Sequence, residues 1–260
     1  MTMNSTVSLS AHGVSLELPL YLQSERSAHT WFSMLAGAAF DRPRREFRTI
    51  LSDISFNAQD GDRIGIIGRN GVGKSTLLRV LTGAYQPTQG RIEAHGSMQA
   101  LLNISLGFSG EATVRENIFL RGTAMGLRAA EIREIVLPVL EFAEIEDKAN
   151  HRLKTLSSGQ RMRLGFSIAT AAQHDIMIMD EWIGTGDAAF ITKAKKRMQG
   201  RVDGAKIVLL ASHNVALIKN VCNKGLLMDA GRVVFFGDTT DALKEYKSLV
   251  SAPAVTEKNT

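Results

Sequence analysis

A single cysteine, Cys222, stands in 260 residues. It excludes an intramolecular disulfide and a multi-cysteine metal site, so the expected home is a reducing compartment such as the cytoplasm. Proline is scarce at 5 residues, and no low-complexity tract occurs, so disorder is expected only at the ends. No run of about eighteen apolar residues is present, and the opening stretch MTMNSTVSLSAHGVSLEL lacks a basic segment followed by an apolar one. If the protein serves a membrane process, the spanning part is expected on another polypeptide. Charge of one sign is not in great excess either. The 31 Lys and Arg against 26 Asp and Glu give a net charge of +5, which permits attraction to nucleic acid or an anionic membrane surface without requiring it. The one basic run, Arg42, Arg44, Arg45 and Arg48, is interrupted by Asp41 and Glu46 and fits either a solvated loop or a phosphate-binding patch.

What is present suits one large α/β domain, or at most two small ones: 44% of the residues are apolar and 22% charged. Residues 14–18 and 50–58 alternate apolar and polar, as half-buried strands do. Between them, 27–40 (SAHTWFSMLAGAAF) has helical spacing and ends in a Pro-Arg-rich loop. Its stripe of Trp31, Phe32, Met34 and Leu35 is open to two readings, internal packing or a docking face. The apolar run 64–67, bounded by glycine, predicts a buried parallel strand followed by a helix over 73–81. Strands are expected at 90–94 and 97–102, and a helical block from 113 to about 142. A helix over 158–172, a strand at 176–179, a helix over 188–201 and a strand at 207–210 follow. Strands at 225–228 and 233–236 precede a closing helix over 239–249. Strands alternating with helices predict a mainly parallel sheet covered on both faces, with ligands at the carboxyl ends of its strands.

The segment IGIIGRNGVGKSTLL contains Gly68, Gly73, Lys74 and Ser75 at the spacing G-x-x-x-x-G-K-[ST], the phosphate-loop pattern. The strand before and the helix after aim backbone N–H groups and the positive helix end at one point. Glycine lets the chain approach phosphate oxygens that side chains would obstruct. Gly68, Asn70, Gly71, Gly73, Lys74, Ser75 and Thr76 are the expected nucleotide contacts. Lys74 would reach the β- and γ-phosphates, and the Ser75 hydroxyl would ligate Mg²⁺.

In HDIMIMDEW, Asp180 and Glu181 end an apolar strand that parallel order sets beside this loop. Taken alone, such a pair is as compatible with a surface site. Beside the loop, Asp180 can hold Mg²⁺ and Glu181 can act as general base on water. His213, in LLASHN, follows the next strand and would position Glu181 and the water; a structural histidine is the alternative. LSSGQ, from Leu156 to Gln160, opens a helix, where it suits an anion or merely caps the helix through Ser157 or Ser158.

The order of phosphate loop, helical insertion, LSSGQ, IMIMDE, GTGD and SHN resembles the ATP-binding-cassette ATPases across nearly the whole chain. The resemblance implies a P-loop NTPase fold: a RecA-like parallel core with antiparallel N-terminal strands and an inserted helical subdomain. The expected division is a single domain over 1–250, with core segments 1–102 and 158–250, a helical subdomain 103–157, and a flexible tail 251–260. It also implies ATP and Mg²⁺ as cofactors, and a head-to-tail homodimer sandwiching two ATP molecules. In that dimer Ser157, Ser158, Gly159 and Gln160 would meet the γ-phosphate held by the other copy, and Asp187 of GTGD would link the two sites.

Two stretches depart from the general family pattern. The glutamine that usually ends the strand before the helical insertion is missing; the stretch reads ALLNISLGFSGEATVREN, with Asn103 as first candidate for its Mg²⁺-contacting role and Gln99 as second. The loop after Glu181 reads WIGTGDAAF. Both, with RENIFL and the basic N-terminal extension, look like the Wzt-type exporters of lipid-linked polysaccharide such as O-antigen, capsule or teichoic acid. That likeness implies an integral membrane permease as partner, a peripheral place on the cytoplasmic face of the inner membrane, and no nucleic-acid partner. The length leaves no room for the carbohydrate-binding domain of some members, so glycan selection is expected elsewhere. Phe47, just before the first core strand, is the family-style candidate for stacking on adenine, with an edge aromatic as the plain alternative. The rival readings are a soluble cassette protein acting on nucleic acid or ribosomes, a cassette for import or for lipid, and a small-molecule kinase.

Overall fold

The computed structural model describes residues 6–21, 45–102, 107–181 and 188–251. The expected helix over 27–40, Asn103, Asp187 with its GTGD loop, and residues 252–260 lie outside the described residues.

Two sheets form the core. β1 (Ser8–Tyr21) and β2 (Arg45–Gln59) make a long antiparallel hairpin, and β4 (Gln89–His95) adds to β1 on its other edge. Leu9, Ala11, Val14 and Leu16 of β1 are buried against Leu51, Ile54, Phe56 and Ala58 of β2. The hairpin is longer at both ends than the alternation at 14–18 and 50–58 predicts. Beyond Ser15, β1 pairs with β2 alone, giving a two-stranded ribbon. Arg45 and Arg48, expected in a loop, lie in β2 opposite Tyr21 and Leu18.

The second sheet has the order β5-β6-β7-β3-β8-β9. It comprises β5 (Met98–Leu101), β6 (Ile176–Asp180), β7 (Ile207–Ala211), β3 (Arg63–Ile67), β8 (Lys224–Asp229) and β9 (Arg232–Asp238). All pairs are parallel except β8 with β9. The short apolar strands read as continuous runs because both faces are buried. One face, with Ile64, Ile66, Ile178 and Leu209, packs on the hairpin and on α1 (Lys74–Leu81). The other, with Met177, Met179, Val208 and Leu210, packs beneath α5 (Ala188–Gly204), α6 (Val215–Val221) and α7 (Thr239–Ser251). Helix α6 is absent from the sequence reading; at seven residues it is too short to show a periodic stripe.

The helical block consists of α2 (Val114–Ala124) and α3 (Ala129–Ala143). Gly126, at φ +81°, turns the chain between them. These two helices share a separate apolar cluster with Leu164 and Ile168 of α4 (Ser158–Ala169). Helix α4 stops at Ala169, three residues before the expected end; the Thr170 hydroxyl closes onto the Phe166 carbonyl at 2.8 Å. Among the described residues no helix is long and apolar enough to cross a membrane.

Candidate nucleotide site

The carboxyl ends of β3, β6 and β7 converge. Ile66 is paired with Ala211, and Ala211 in turn with Asp180, so the three strands finish side by side. The Glu181 amide extends this ladder by donating to the Ala211 carbonyl at 2.8 Å. Glu181 itself sits at φ +72°, a left-handed conformation rare for a side chain of this size. Such backbone strain clusters at functional sites.

From β3 the chain enters the phosphate loop. A β-carbon on Gly68 would lie 2.5 Å from the Met228 carbonyl oxygen, so no side chain fits there. Gly73, at φ +106°, caps α1 without any side-chain hydrogen bond, and the first turn of α1 carries no acidic residue. Helices α2 and α4, by contrast, are closed by capping boxes. The amides at the start of α1 therefore remain open to an anion.

A cleft of about 740 Å³ opens above the loop. Asn70, Gly71, Gly73, Lys74, Ser75 and Thr76 form one wall, and Asp180 with Glu181 forms another. Arg48 and Ile50 of β2 complete the lining. The Lys74 ammonium donates to the carbonyls of Gly68 at 2.7 Å and Arg69 at 2.9 Å, spanning the loop from within. Partial burial lowers its pKa from the ordinary lysine value, and the Asp180 and Glu181 carboxylates oppose that shift. His213, just beyond β7, places Nδ1 in hydrogen-bond contact with Oε1 of Glu181.

The hydroxyl of Ser75 and the carboxylate of Asp180 in one cleft form a hard-oxygen donor set. It suits Mg²⁺ completed by phosphate and water oxygens. Among the described residues no cluster of three His, Cys, Asp or Glu side chains could hold a metal unaided.

The remaining expected residues lie elsewhere. Ser157 to Gln160 do not line the cleft. The Ser157 hydroxyl accepts from the Gln160 amide at 3.2 Å, while Gln160 Oε1 accepts from the Ser157 amide at 3.0 Å, a reciprocal cap on α4. Ser158 and Gly159 stay exposed at that helix end. Phe47 is 63% exposed and does not line the cleft. Gln99, the second candidate for the missing glutamine, is buried and donates to the Ala169 carbonyl; this bond holds it in the core of β5, away from the strand end. Arg48 and Ile50 are the lining residues that the sequence reading missed. Their spacing of two along a strand is the signal that could have found them.

A family model described as ABC transporter matches residues 51–184. The O-antigen export system ATP-binding protein RfbE of Yersinia enterocolitica is 35% identical, with 87% of this chain and 96% of that protein covered. The teichoic acids export ATP-binding protein TagH of Bacillus cereus is 36% identical over 78% of this chain and 37% of its own length. The O-antigen export system ATP-binding protein RfbB of Myxococcus xanthus is 35% identical over 78% and 46% respectively. The chain thus spans less than half the length of these last two curated relatives. Among solved structures, the ATP binding subunit of an ABC transporter superposes with a TM-score of 0.66 at 22% identity, covering 92% of this chain and 93% of that one. A dimeric post-hydrolysis state of the ATP-binding cassette MJ0796, bound to ADP and Pi, gives a TM-score of 0.62 at 20% identity, covering 89% and 98%. At such identities the likeness establishes the fold.

Proposed function

Since the chain belongs to the ABC transporter family, we propose that it is the ATP-hydrolysing subunit of an exporter for lipid-linked polysaccharide, an O-antigen, capsule or similar glycan. The observation that carries the ATPase part is the meeting of Lys74, Ser75, Asp180 and Glu181 in one cleft, with His213 on the carboxylate of Glu181. The glycan part is supported by relatives named for O-antigen and teichoic acid export.

The residues divide the work by position. The open amides of Gly71, Gly73 and α1 cradle the phosphates, and Lys74 brings positive charge to the terminal pair. Ser75 and Asp180 would hold Mg²⁺, which supplies charge neutralisation when bound. Glu181 orients the attacking water and accepts its proton, and His213 keeps the carboxylate aimed. Little covalent chemistry is asked of the protein, so positioning and charge stabilisation account for most of the rate.

Ser157 to Gln160 complete a site only in a second copy. Ser158 and Gly159 sit exposed at the amino end of α4, outside their own cleft, where they can meet the γ-phosphate held by a head-to-tail partner. The γ-phosphate then bridges two copies, and hydrolysis releases the bridge. Residues 103–157 would act as a helical subdomain that passes this motion to a membrane permease, joined to the core through α4, whose Leu164 and Ile168 share the apolar cluster of α2 and α3, with the whole assembly on the cytoplasmic face of the membrane. Asn103 and Asp187 would join the Mg²⁺ site and the dimer contact respectively.

The test has two arms. Purified protein should release phosphate from ATP and water without an acceptor, and with ATP the Glu181→Gln chain should elute at twice its monomer mass. Cells lacking the chain should retain lipid-linked glycan inside. A monomer under saturating ATP would overturn the dimer, and unchanged surface glycan would overturn the export reading.

A further inference from the structure

We infer that Arg69 is a positioning residue for the nucleotide: its guanidinium ties the phosphate loop to the last turn of α7, so the end of that helix governs how firmly the loop is set for phosphate. The inference rests on the nucleotide reading above and concerns a loop residue that does not itself line the cleft.

Helix α7 calls for a cation that its own last turn does not supply. The final carbonyls of a helix lack intrahelical partners and carry the negative end of its dipole. No basic residue of α7 lies in its last turn. Arg69 fills that place from outside, donating from Nη2 to the Leu249 carbonyl at 2.9 Å. The two residues stand 180 positions apart in the chain, so the contact joins two elements. Little else holds that helix end. Ala242 and Leu243 are buried near its start, whereas Ser248 is exposed and Val250 is 48% exposed.

The other end of the contact is the phosphate loop. The Arg69 carbonyl accepts from Lys74 Nζ at 2.9 Å, so hydrogen bonds run from Leu249 through Arg69 to the ammonium that meets the terminal phosphates. The loop is seated at Gly68 against the Met228 carbonyl and at Gly73 against β2. Between those seats Asn70 and Gly71 are exposed, and a β-carbon on Gly71 would find nothing within 4 Å. The shape of this open turn therefore depends on its flanks, and Arg69 is the residue immediately before it. A loop already in its binding shape loses less freedom when the ligand arrives. Releasing Arg69 from α7 thus lowers affinity without touching Glu181 or His213.

Calorimetric titration with MgATP, paired with phosphate release at saturating ATP, tests the tether. Wild type is compared with Arg69→Ala, Arg69→Lys, Val250→Pro, Val250→Ala and the double variant Arg69→Ala/Val250→Pro. Proline at 250 pushes residue 249 out of helical geometry and so turns the Leu249 carbonyl away, at a position that removes no core side chain. Arg69→Ala should weaken ATP binding about three- to tenfold, with the loss confined to affinity rather than to saturated turnover. Val250→Pro should reproduce that loss, and the double variant should bind no worse than either single one. Arg69→Lys, which still offers a cation to the helix end, should recover most of the affinity, and Val250→Ala should match wild type. A loss in Arg69→Ala that Val250→Pro does not reproduce, or losses that multiply in the double variant, would make Arg69 a direct charge on the nucleotide and overturn the tether. Full affinity in Arg69→Ala would overturn it as well. If the wild type bound no ATP, the nucleotide reading itself would fall, and the role of Arg69 with it.

Discussion

His213 and Glu181 hydrogen-bond to each other from the ends of adjacent parallel strands. The pair joins β7 to β6 at the mouth of the cleft, where Glu181 already departs from ordinary backbone geometry at φ +72°. A histidine there fixes a carboxylate that would otherwise turn freely in solvent.

Two substitutions separate the roles of this pair. Glu181→Gln removes the base and should lower phosphate release by about 10² to 10³ while ATP binding persists. His213→Ala should also slow turnover, by roughly 10², through misplacement of the carboxylate. In a Glu181→Gln background, loss of His213 should add little. Steady-state phosphate release from the four proteins checks this; fully multiplicative losses would show that the two residues act independently.

Lys74 gives a pH dependence. Its protonated form binds phosphate, and burial lowers its pKa from the ordinary lysine value. Nucleotide affinity should therefore fall with rising pH earlier than for a solvated lysine. The Glu181 carboxylate raises that pKa, so Glu181→Gln should move the loss to still lower pH. Stability has the opposite sign. Between the lowered folded value and the unfolded one, the unfolded chain holds more protons, so stability increases with pH across that window. Nucleotide titrations of both proteins over a pH series measure the first effect, and denaturant midpoints over the same series measure the second.

Cys222 is buried at 7% exposure, and burial pushes its thiol pKa up to about 12. The reactive thiolate is therefore scarce at neutral pH and hidden as well. A thiol reagent should modify the native protein only as fast as it opens, and completely in denaturant. Prompt stoichiometric labelling of native protein at pH 8 would contradict this placement.

Asn117 is fully buried in α2. Its amide nitrogen donates to the carbonyls of Ser109 at 2.9 Å and Thr113 at 2.9 Å, while its oxygen accepts from the Ser109 amide at 2.8 Å. Asn117→Leu would strand these backbone groups, costing about 2–3 kcal/mol and lowering Tm by roughly 5–10 °C. Thermal unfolding by circular dichroism reads it directly.

The phosphate-loop pattern was legible in the sequence because it is local: one strand end, one glycine-rich turn and one helix start. Strand-end order extended that reading to Asp180, Glu181 and His213, since parallel neighbours finish at the same level. Arg48 was noticed only as part of a basic run open to two readings, because its place in the cleft depends on pairing with Leu18 across some thirty positions. Helix α6 escaped for want of length. The pairing of Ser157 with Gln160 was half used: the cap was anticipated but not its reciprocity, although Ser-x-x-Gln is the capping-box spacing.

The seat of the phosphate loop has an evolutionary consequence. Gly68 lies against the main-chain oxygen of Met228, and every amino acid carries that oxygen. This contact therefore leaves the identity of residue 228 to the core that buries it and to its approach to Gly73, whereas position 68 tolerates no side chain whatever its neighbour becomes. Mutational freedom at this contact is one-sided, and a library randomised at both positions should return variety at one and uniformity at the other.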